Sequence, residues 1–486
     1  MKYYLILIYS KKLKLLIFNL LETLKVNWRL IMRKYFGTDG IRRIANTELS
    51  PELVYRVAKA GAYVLSKHSK NPTPTILIGR DTRISGTLIE SAMVAGFLSY
   101  GANVKTLGVL PTPGVAYLTK KLKADASVVI SASHNTYEFN GVKYFSNKGM
   151  KIPDELEEEI EELMDSDKLS DFSAVNDHIG VSENREDLLD EYVYFFRKNF
   201  EEDFENLDMS DFVVAIDTAN GATSVVAEKV FTALGIKHYI MNNTPTGTNI
   251  NENCGSTHLD VLKKYVVENN CNLGIAYDGD GDRCLAVDEN GNEIDGDKLL
   301  AVISNYMKEK GKLKKDTLVA TVMSNLGLKK YTEANNINFE QTKVGDRYVL
   351  EKMLKEGYNL GGEQSGHIIM LDYNPTGDGI LTSLMFIKIL LEKNVSASKS
   401  CDIIKIYPQV LVNAKVNSDK KDAYKDDAEI KAEIDKLEKE FSGNGRVLIR
   451  PSGTEPLVRV MIEGTDEEYI RTKAEDLAKL IEKKLN

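Results

Sequence analysis

From Met32 onward the chain repeats one pattern: a short β-branched, apolar run, a polar or glycine-rich loop, then an amphipathic stretch. The runs at 75–79 (TILIG), 127–131 (SVVIS), 213–217 (VVAID), 273–277 (LGIAY) and 318–322 (LVATV) are short and almost wholly apolar, which predicts buried strands. Strands alternating with helices in this way predict an α/β fold on mainly parallel sheets. Ligands of open α/β sheets lie beyond the carboxyl ends of strands. Chemistry is therefore expected in the loops GRDTR, SASHN, DTANG, DGDGDR and MSNLG.

With 486 residues the chain has room for about three or four domains. Breaks in the pattern predict α/β units over 32–185, 186–297 and 298–406, the three reading as versions of one design. A smaller α+β domain follows over 407–486, with a Lys- and Asp-rich helix, two strands around RPSGTEP and a last helix from Asp466. The acidic run DELEEEIEELMDSDK (154–168) reads as a solvated helix face. Residues 1–31 are apolar and basic, but their uncharged runs are well short of the roughly 20 residues that span a bilayer. They read as an extension from a start codon set too early, with an amphipathic surface helix as the alternative.

A net charge of −9 excludes nucleic acid as a partner, because phosphate backbones require a basic footprint. An anionic substrate must then meet a locally basic pocket. Cys254, Cys271, Cys284 and Cys401 fall in no zinc or CxxC spacing, which predicts buried, reduced thiols in a cytoplasmic protein that is not membrane-bound.

Three segments carry chemistry. In DGDGDR, Asp278, Asp280 and Asp282 alternate with glycines that permit a tight loop, so three oxygens can converge on one hard cation such as Mg²⁺. An EF-hand is excluded, since Arg283 stands where that loop needs glycine and strands flank it. SASHN offers Ser133 beside His134, with Lys143 following; on an extended loop the two neighbours point apart, and no GxSxG elbow is present. Phosphorylation of Ser133 would need a cation to screen the dianion and an acid or base, for which His134 and Lys143 are both candidates. RPSGTEPLVRV supplies Arg450, Ser452, Gly453, Thr454 and Arg459 as phosphate donors, with a plain hairpin turn as the alternative. GGEQSGH adds Glu363, Ser365 and His367 as partners for sugar hydroxyls. Arg42 and Arg43 of FGTDGIRR, and Lys343, Asp346 and Arg347 of KVGDRYV, read either as substrate contacts or as solvated charges.

Taken in order, FGTDGIRR, SASHN with NGVKYF, PTGTNINENCGSTH, DGDGDRCLAVD, KVGDRYVLEKM, GGEQSGHIIM and RPSGTEPLVRV resemble the α-D-phosphohexomutase superfamily from about Met32 to the end. GTNIN with CGST, VGDRYV and GEQSGH resemble its amino-sugar branch more than its phosphomannomutase and phosphoglucomutase branches. The resemblance implies four domains around a central cleft and an isomerase that interconverts glucosamine 6-phosphate and glucosamine 1-phosphate. It implies a transferable phosphate on Ser133 and a bisphosphorylated hexosamine as intermediate or activator. One Mg²⁺ per chain would be held by Asp278, Asp280, Asp282 and the phosphate on Ser133. Arg283 would lie beside the transferring group, with Arg42 and Lys143 around the phosphoserine. Glu363, Ser365 and His367 would bind sugar, and the Arg450 loop the other phosphate. A phosphosugar is the implied partner, and a homodimer is compatible with it. Turnover of mannose or glucose phosphates, or phosphosugar binding without turnover, are the rival readings. Departures are Thr136 in place of the family's proline, Arg43 in place of glycine, and the N-terminal extension.

Overall fold

The computed structural model describes residues 34–37, 39–67, 71–452 and 455–486. The first 31 residues, and the expectations placed on them, lie outside the described residues. So do Gly453 and Thr454.

Each of the first three units is built on its own sheet, and the sheets share a plan. In the first, the strands run in the order Ile41–Ile44, Phe139–Ser146, Ala126–Ile130, Thr75–Arg80, Asn103–Val109 and Ser182–Asn184. Thr75–Arg80 pairs in parallel with both of its neighbours, whereas Ala126–Ile130 and Phe139–Ser146 form an antiparallel pair. The second sheet repeats this around Val213–Asp217, which is parallel to Lys237–Met241 and to Leu273–Tyr277; Leu273–Tyr277 then turns back into antiparallel Cys284–Asp288. In the third, Thr317–Thr321 is parallel to Asn338–Thr342 and Leu360–Gly362, and Leu360–Gly362 turns back into Ile368–Met370. The sheets are thus parallel at their centres, as expected, but each carries an antiparallel edge. In each, the antiparallel hairpin carries the chemistry-bearing loop: SASHN, DGDGDR or GEQSGH.

The three units share one apolar core. The helix Leu189–Glu205 buries Tyr192, Phe195, Phe196, Phe200 and Phe204 on one face, as amphipathic spacing requires. That ridge packs in a cluster with Val115 of the first unit, Val214 of the second and Leu384 of the third. Tyr192 also donates its hydroxyl to Asp378 Oδ2 at 2.8 Å, so the buried phenol is satisfied.

The C-terminal domain has a separate core and a three-stranded antiparallel sheet, in the order Gln409–Lys415, Leu457–Glu463, Arg446–Pro451. The helices Ala428–Phe441 and Glu467–Leu485 pack in that same core. Its first strand was not among the sequence expectations. It is seated on the loop Val322–Leu326 of the third unit. Arg446 donates to the carbonyls of Val322 at 2.9 Å and Ser324 at 2.6 Å. Glu463, fully buried and paired with Arg446, accepts the Leu326 amide, and the Asn325 side chain donates to the Tyr407 carbonyl and accepts the Tyr407 amide.

The acidic helix Asp154–Asp165 is not simply a solvated face. Glu161 accepts the amides of Lys34, Tyr35 and Phe36, and Asp154 pairs with Arg347 of the third unit. All four cysteines are free thiols and buried. Among the described residues no helix is long and apolar enough to cross a membrane.

Candidate active site

Ser133 stands at the turn of the first hairpin with φ +52, in the left-handed region that non-glycine residues rarely occupy. Its neighbours hold it there. The Ser131 hydroxyl accepts the Ser133 amide at 2.9 Å and donates to Asp81 Oδ2 at 2.6 Å. Arg83, without solvent exposure, pairs with Asp81 at 2.8 Å and donates to the carbonyls of Ser133, Asn135, Thr136 and Phe139. From the second unit, Asn251 Nδ2 reaches the same carbonyls of Ser133 and Asn135 at 2.8 and 2.9 Å. The loop is therefore not extended, and Ser133 and His134 do not point apart: Ser133 Oγ lies 3.3 Å from His134 Nδ1.

The second hairpin brings its aspartates to this serine. Ser133 Oγ donates to Asp278 Oδ2 at 2.7 Å. A Cβ on Gly279 would fall 2.5 Å from the Ser133 carbonyl oxygen, so the two loops meet backbone to backbone. Asp278, Asp280 and Asp282 are all buried, and one oxygen from each lies within 4.8 Å of the others. Asp280 Oδ1 and Asp282 Oδ1 are buried without a hydrogen-bond partner. Burial together with the charges of Asp282 and Asp280 drives the Asp278 carboxyl well above its ordinary pKa. Three converging carboxylates with free oxygens and mutual repulsion fit a hard divalent cation.

Cationic groups surround the trio. Lys143 is buried; its Nζ is 2.9 Å from Asp280 and 3.1 Å from Asp39. Burial works against its charge, but Asp280, Asp39 and Asp282 outweigh it and raise its pKa above the ordinary lysine value. Lys143 is thus held as a cation and not as a base. His134 is the reverse case: burial, then Arg283 and Arg42, lower its pKa to about 4. Of the two candidates only His134 is neutral at pH 7. Arg283 donates its amide to Asp278 Oδ1 at 3.2 Å, while its Nε is buried and unbonded. Arg42 reaches Asn135 Oδ1 at 3.1 Å and Asp39 at 2.8 Å. Thr112, unread in the sequence, donates to Asp280 Oδ2 at 2.7 Å.

The third hairpin closes the group. His367 Nδ1 is 3.5 Å from Asp282 Oδ2, and its Nε2 takes the Gly377 amide at 3.0 Å. Burial lowers the imidazole's pKa, but Asp282 and Asp346 together raise it above the usual value. Glu363 accepts the Gly345 amide at 3.1 Å, and Ser365 Oγ is buried without a partner.

Arg450, Ser452 and Arg459 form a second group, in the C-terminal sheet. Arg450 and Arg459 are cross-strand partners with Nε atoms buried and unbonded, and burial and Arg459 lower the Arg450 pKa. Two adjacent guanidiniums with unused donors suit an anion. Among the described residues no hydrogen bond or ion pair joins this group to the Ser133 loop. Arg43 turns to the Lys34 carbonyl and Arg347 to Asp154, while Asp346 pairs with Lys151. The last two are paired and largely buried, so they are not solvated charges. Lys343 is exposed.

Comparison with known proteins agrees with this plan. The models of phosphoglucomutase/phosphomannomutase alpha/beta/alpha domains I, II and III match residues 33–171, 190–291 and 295–407, and that of the C-terminal domain matches 411–480. A phosphoglucosamine mutase of Clostridium acetobutylicum is 53% identical over 455 residues, covering 94% of this chain and all of that one. One from Clostridium tetani is 51% identical over 453 residues, covering 93% and 100%. Among solved structures, a phosphoglucomutase/phosphomannomutase family protein from Burkholderia thailandensis superposes with a TM-score of 0.75 at 20% identity, covering 92% of this chain and 97% of that one. The N-acetylphosphoglucosamine mutase of Aspergillus fumigatus, in complex with GlcNAc-6P and magnesium, gives 0.62 at 17% identity, covering 94% and 96%. Four domain models in the family's order, over a chain whose three hairpin loops converge on one aspartate trio, establish that the protein belongs to the phosphoglucomutase/phosphomannomutase family.

Proposed function

We propose that the chain is a phosphoglucosamine mutase, which interconverts glucosamine 6-phosphate and glucosamine 1-phosphate through a phosphate carried on Ser133. The observation that carries the reading is the 2.7 Å contact of Ser133 Oγ with a buried aspartate trio that has two carboxylate oxygens unbonded. The sugar is supported by relatives above 50% identity over their whole length that bear this name. Mg²⁺ held by Asp278, Asp280 and Asp282 would supply Lewis-acid neutralisation of the serine phosphate.

In the first transfer the Oγ–P bond breaks and a bond forms from phosphorus to the free sugar hydroxyl, giving the bisphosphorylated sugar. His134, neutral and 3.3 Å from Oγ, takes the hydroxyl proton at Nδ1 and returns it to the leaving Oγ. Arg283, Lys143 and Arg42 keep the site positive, and Lys143, held charged, stabilises anions without moving protons. Glu363 and Ser365 orient the sugar, whereas His367, buried with both ring nitrogens engaged, ties the loop to Asp282 instead of binding sugar as the sequence suggested. Arg450, Ser452, Gly453, Thr454 and Arg459 bind the phosphate that is not being transferred. After the intermediate turns over, the other phosphate returns to Ser133. The work is positioning and charge neutralisation, as phosphoryl transfer requires.

The test is to compare kcat/KM for glucosamine, mannose and glucose 6-phosphates under one bisphosphate primer, with Ser133→Ala and a chelator as controls. Glucosamine 6-phosphate should lead by at least about tenfold, a preference of roughly 1.4 kcal/mol. The alanine variant should lose both turnover and the phosphoserine mass shift, and excess Mg²⁺ should restore chelated enzyme. A mannose or glucose preference would overturn the sugar assignment; turnover by Ser133→Ala would overturn the mechanism.

A further inference from the structure

An unbroken run of ion pairs crosses from the third unit through the first to the second. Asp346 Oδ2 is 2.7 Å from Lys151 Nζ; Lys151 pairs with Asp39; Asp39 is 3.1 Å from Lys143; and Lys143 is 2.9 Å from Asp280. Signs alternate at every step. His367 closes the circuit, lying 3.5 Å from both Asp346 and Asp282. Lys151 has no part in the chemistry described above, and Asp39 enters it only as a partner of Lys143 and Arg42.

Both are built in rigidly. Lys151 follows a tight turn in which Ser146 accepts the Gly149 amide and donates its own to Met150; Lys151 then bridges back to Phe145 of the strand that bears Lys143. Gly149 has φ +68, and a Cβ there would lie 2.4 Å from the Ala116 carbonyl oxygen. On the far side, Asp346 opens the helix Asp346–Glu356 directly after Gly345, whose amide binds Glu363 of the sugar loop. Displacing Asp346 therefore displaces Glu363. Apolar packing fills this seam only in part: Met150 packs against the cluster of Leu350 and Ile369, but a cavity of about 160 Å³ lined by Met150, Pro153, Leu350 and Ile369 remains beside the ion pairs. The Lys151–Asp346 and Arg347–Asp154 pairs span that seam. The Lys151 side chain is only 13% exposed and that of Asp346 16%, so the charges are weakly screened and removing one leaves its partners uncompensated.

We propose that Lys151 and Asp39 are positioning residues of the transfer, which set the distance from the sugar loop of the third unit to the serine loop of the first by coupling Asp346 to Lys143. The proposal rests on the mutase reading. It deepens it with a consequence for fidelity. Transfer to a sugar hydroxyl needs the acceptor oriented, whereas loss of the phosphate to water does not. Loosening this span should slow the first reaction and spare the second.

The experiment compares Lys151→Met, Lys151→Arg and Asp39→Asn with the unaltered chain. Phosphoenzyme is prepared with the bisphosphate primer, and transfer to sugar phosphate and decay in buffer are followed by intact mass. Lys151→Met and Asp39→Asn should lower the single-turnover transfer rate at least tenfold while decay stays within twofold. Lys151→Arg, which keeps the charge, should recover most of the loss. Transfer at the original rate in Lys151→Met and Asp39→Asn would overturn the proposal. So would a parallel fall in transfer and decay with a lowered unfolding temperature and no recovery in Lys151→Arg. Failure of the mutase reading itself would appear separately, as no transferable phosphate on Ser133 in the unaltered chain.

Discussion

Arg83 illustrates what a single side chain does in this molecule. It is buried with Asp81 and caps four carbonyls of the serine turn, so it supports a backbone conformation that Ser133 would not adopt unaided. Arg83→Met should cost about 3–5 kcal/mol by leaving Asp81 buried and unpaired, readable in equilibrium denaturant unfolding. Loss of less than about 1 kcal/mol would mean that water reaches Asp81. Arg83 was not legible as a site residue, although its loop was, because its partners are backbone carbonyls that only the fold assembles. The same holds for Asn251 and Thr112. Ser133 and the three aspartates were legible because a phosphorylatable hydroxyl and a hard cation each restrict residue type and spacing. Between His134 and Lys143 the sequence left the base open; the proposal of His134 rests on the carboxylates that hold Lys143 charged and on the burial that lowers the His134 pKa, neither of which is written in local spacing.

At the level of elements, one device is used three times: a parallel strand turns into an antiparallel partner, and the turn holds the functional loop. The strands were legible from their apolar runs. Their reversal in direction was not, since periodicity reports burial and not polarity of the chain. The strand Gln409–Lys415 was missed altogether: its inward face is only Val410, Val412 and Ala414, and a strongly helical Lys- and Asp-rich stretch follows. The acidic helix was misread for a related reason, since charge runs usually mean solvent and only the neighbouring unit supplies Arg347. The contact of two of these turns gives a prediction. On Gly279→Ala the new methyl would meet the Ser133 carbonyl, Asn251 Nδ2 and Ile250, within 2.9 Å of each. The aspartate loop should move off the serine. Turnover should fall at least tenfold with a higher Mg²⁺ requirement, seen by titrating Mg²⁺ against rate; an unchanged Mg²⁺ dependence would show that the two turns move independently.

For the whole molecule, three units share one core while the C-terminal domain keeps its own, so the last domain is held chiefly by polar contacts to the loop Val322–Leu326. This loop was among those where chemistry was expected, and its observed role is mechanical. Arg446→Ala leaves Glu463 buried without its partner. It should raise KM for the sugar phosphate about tenfold while phosphoserine content stays unchanged, and should expose the segment 402–408 to limited proteolysis; a normal KM with a normal digestion pattern would refute it. The strand Arg446–Pro451 begins at that seat and carries Arg450 near its far end. Four residues of extended chain make a lever arm of about 13 Å, so a tilt of roughly 10° at the fulcrum swings the guanidinium by about 2 Å. If Arg450 holds the phosphate as proposed, a movement of that size would be enough to let go of one of its oxygens or to grasp it, so the seat at Arg446 would bear on ligand entry and release.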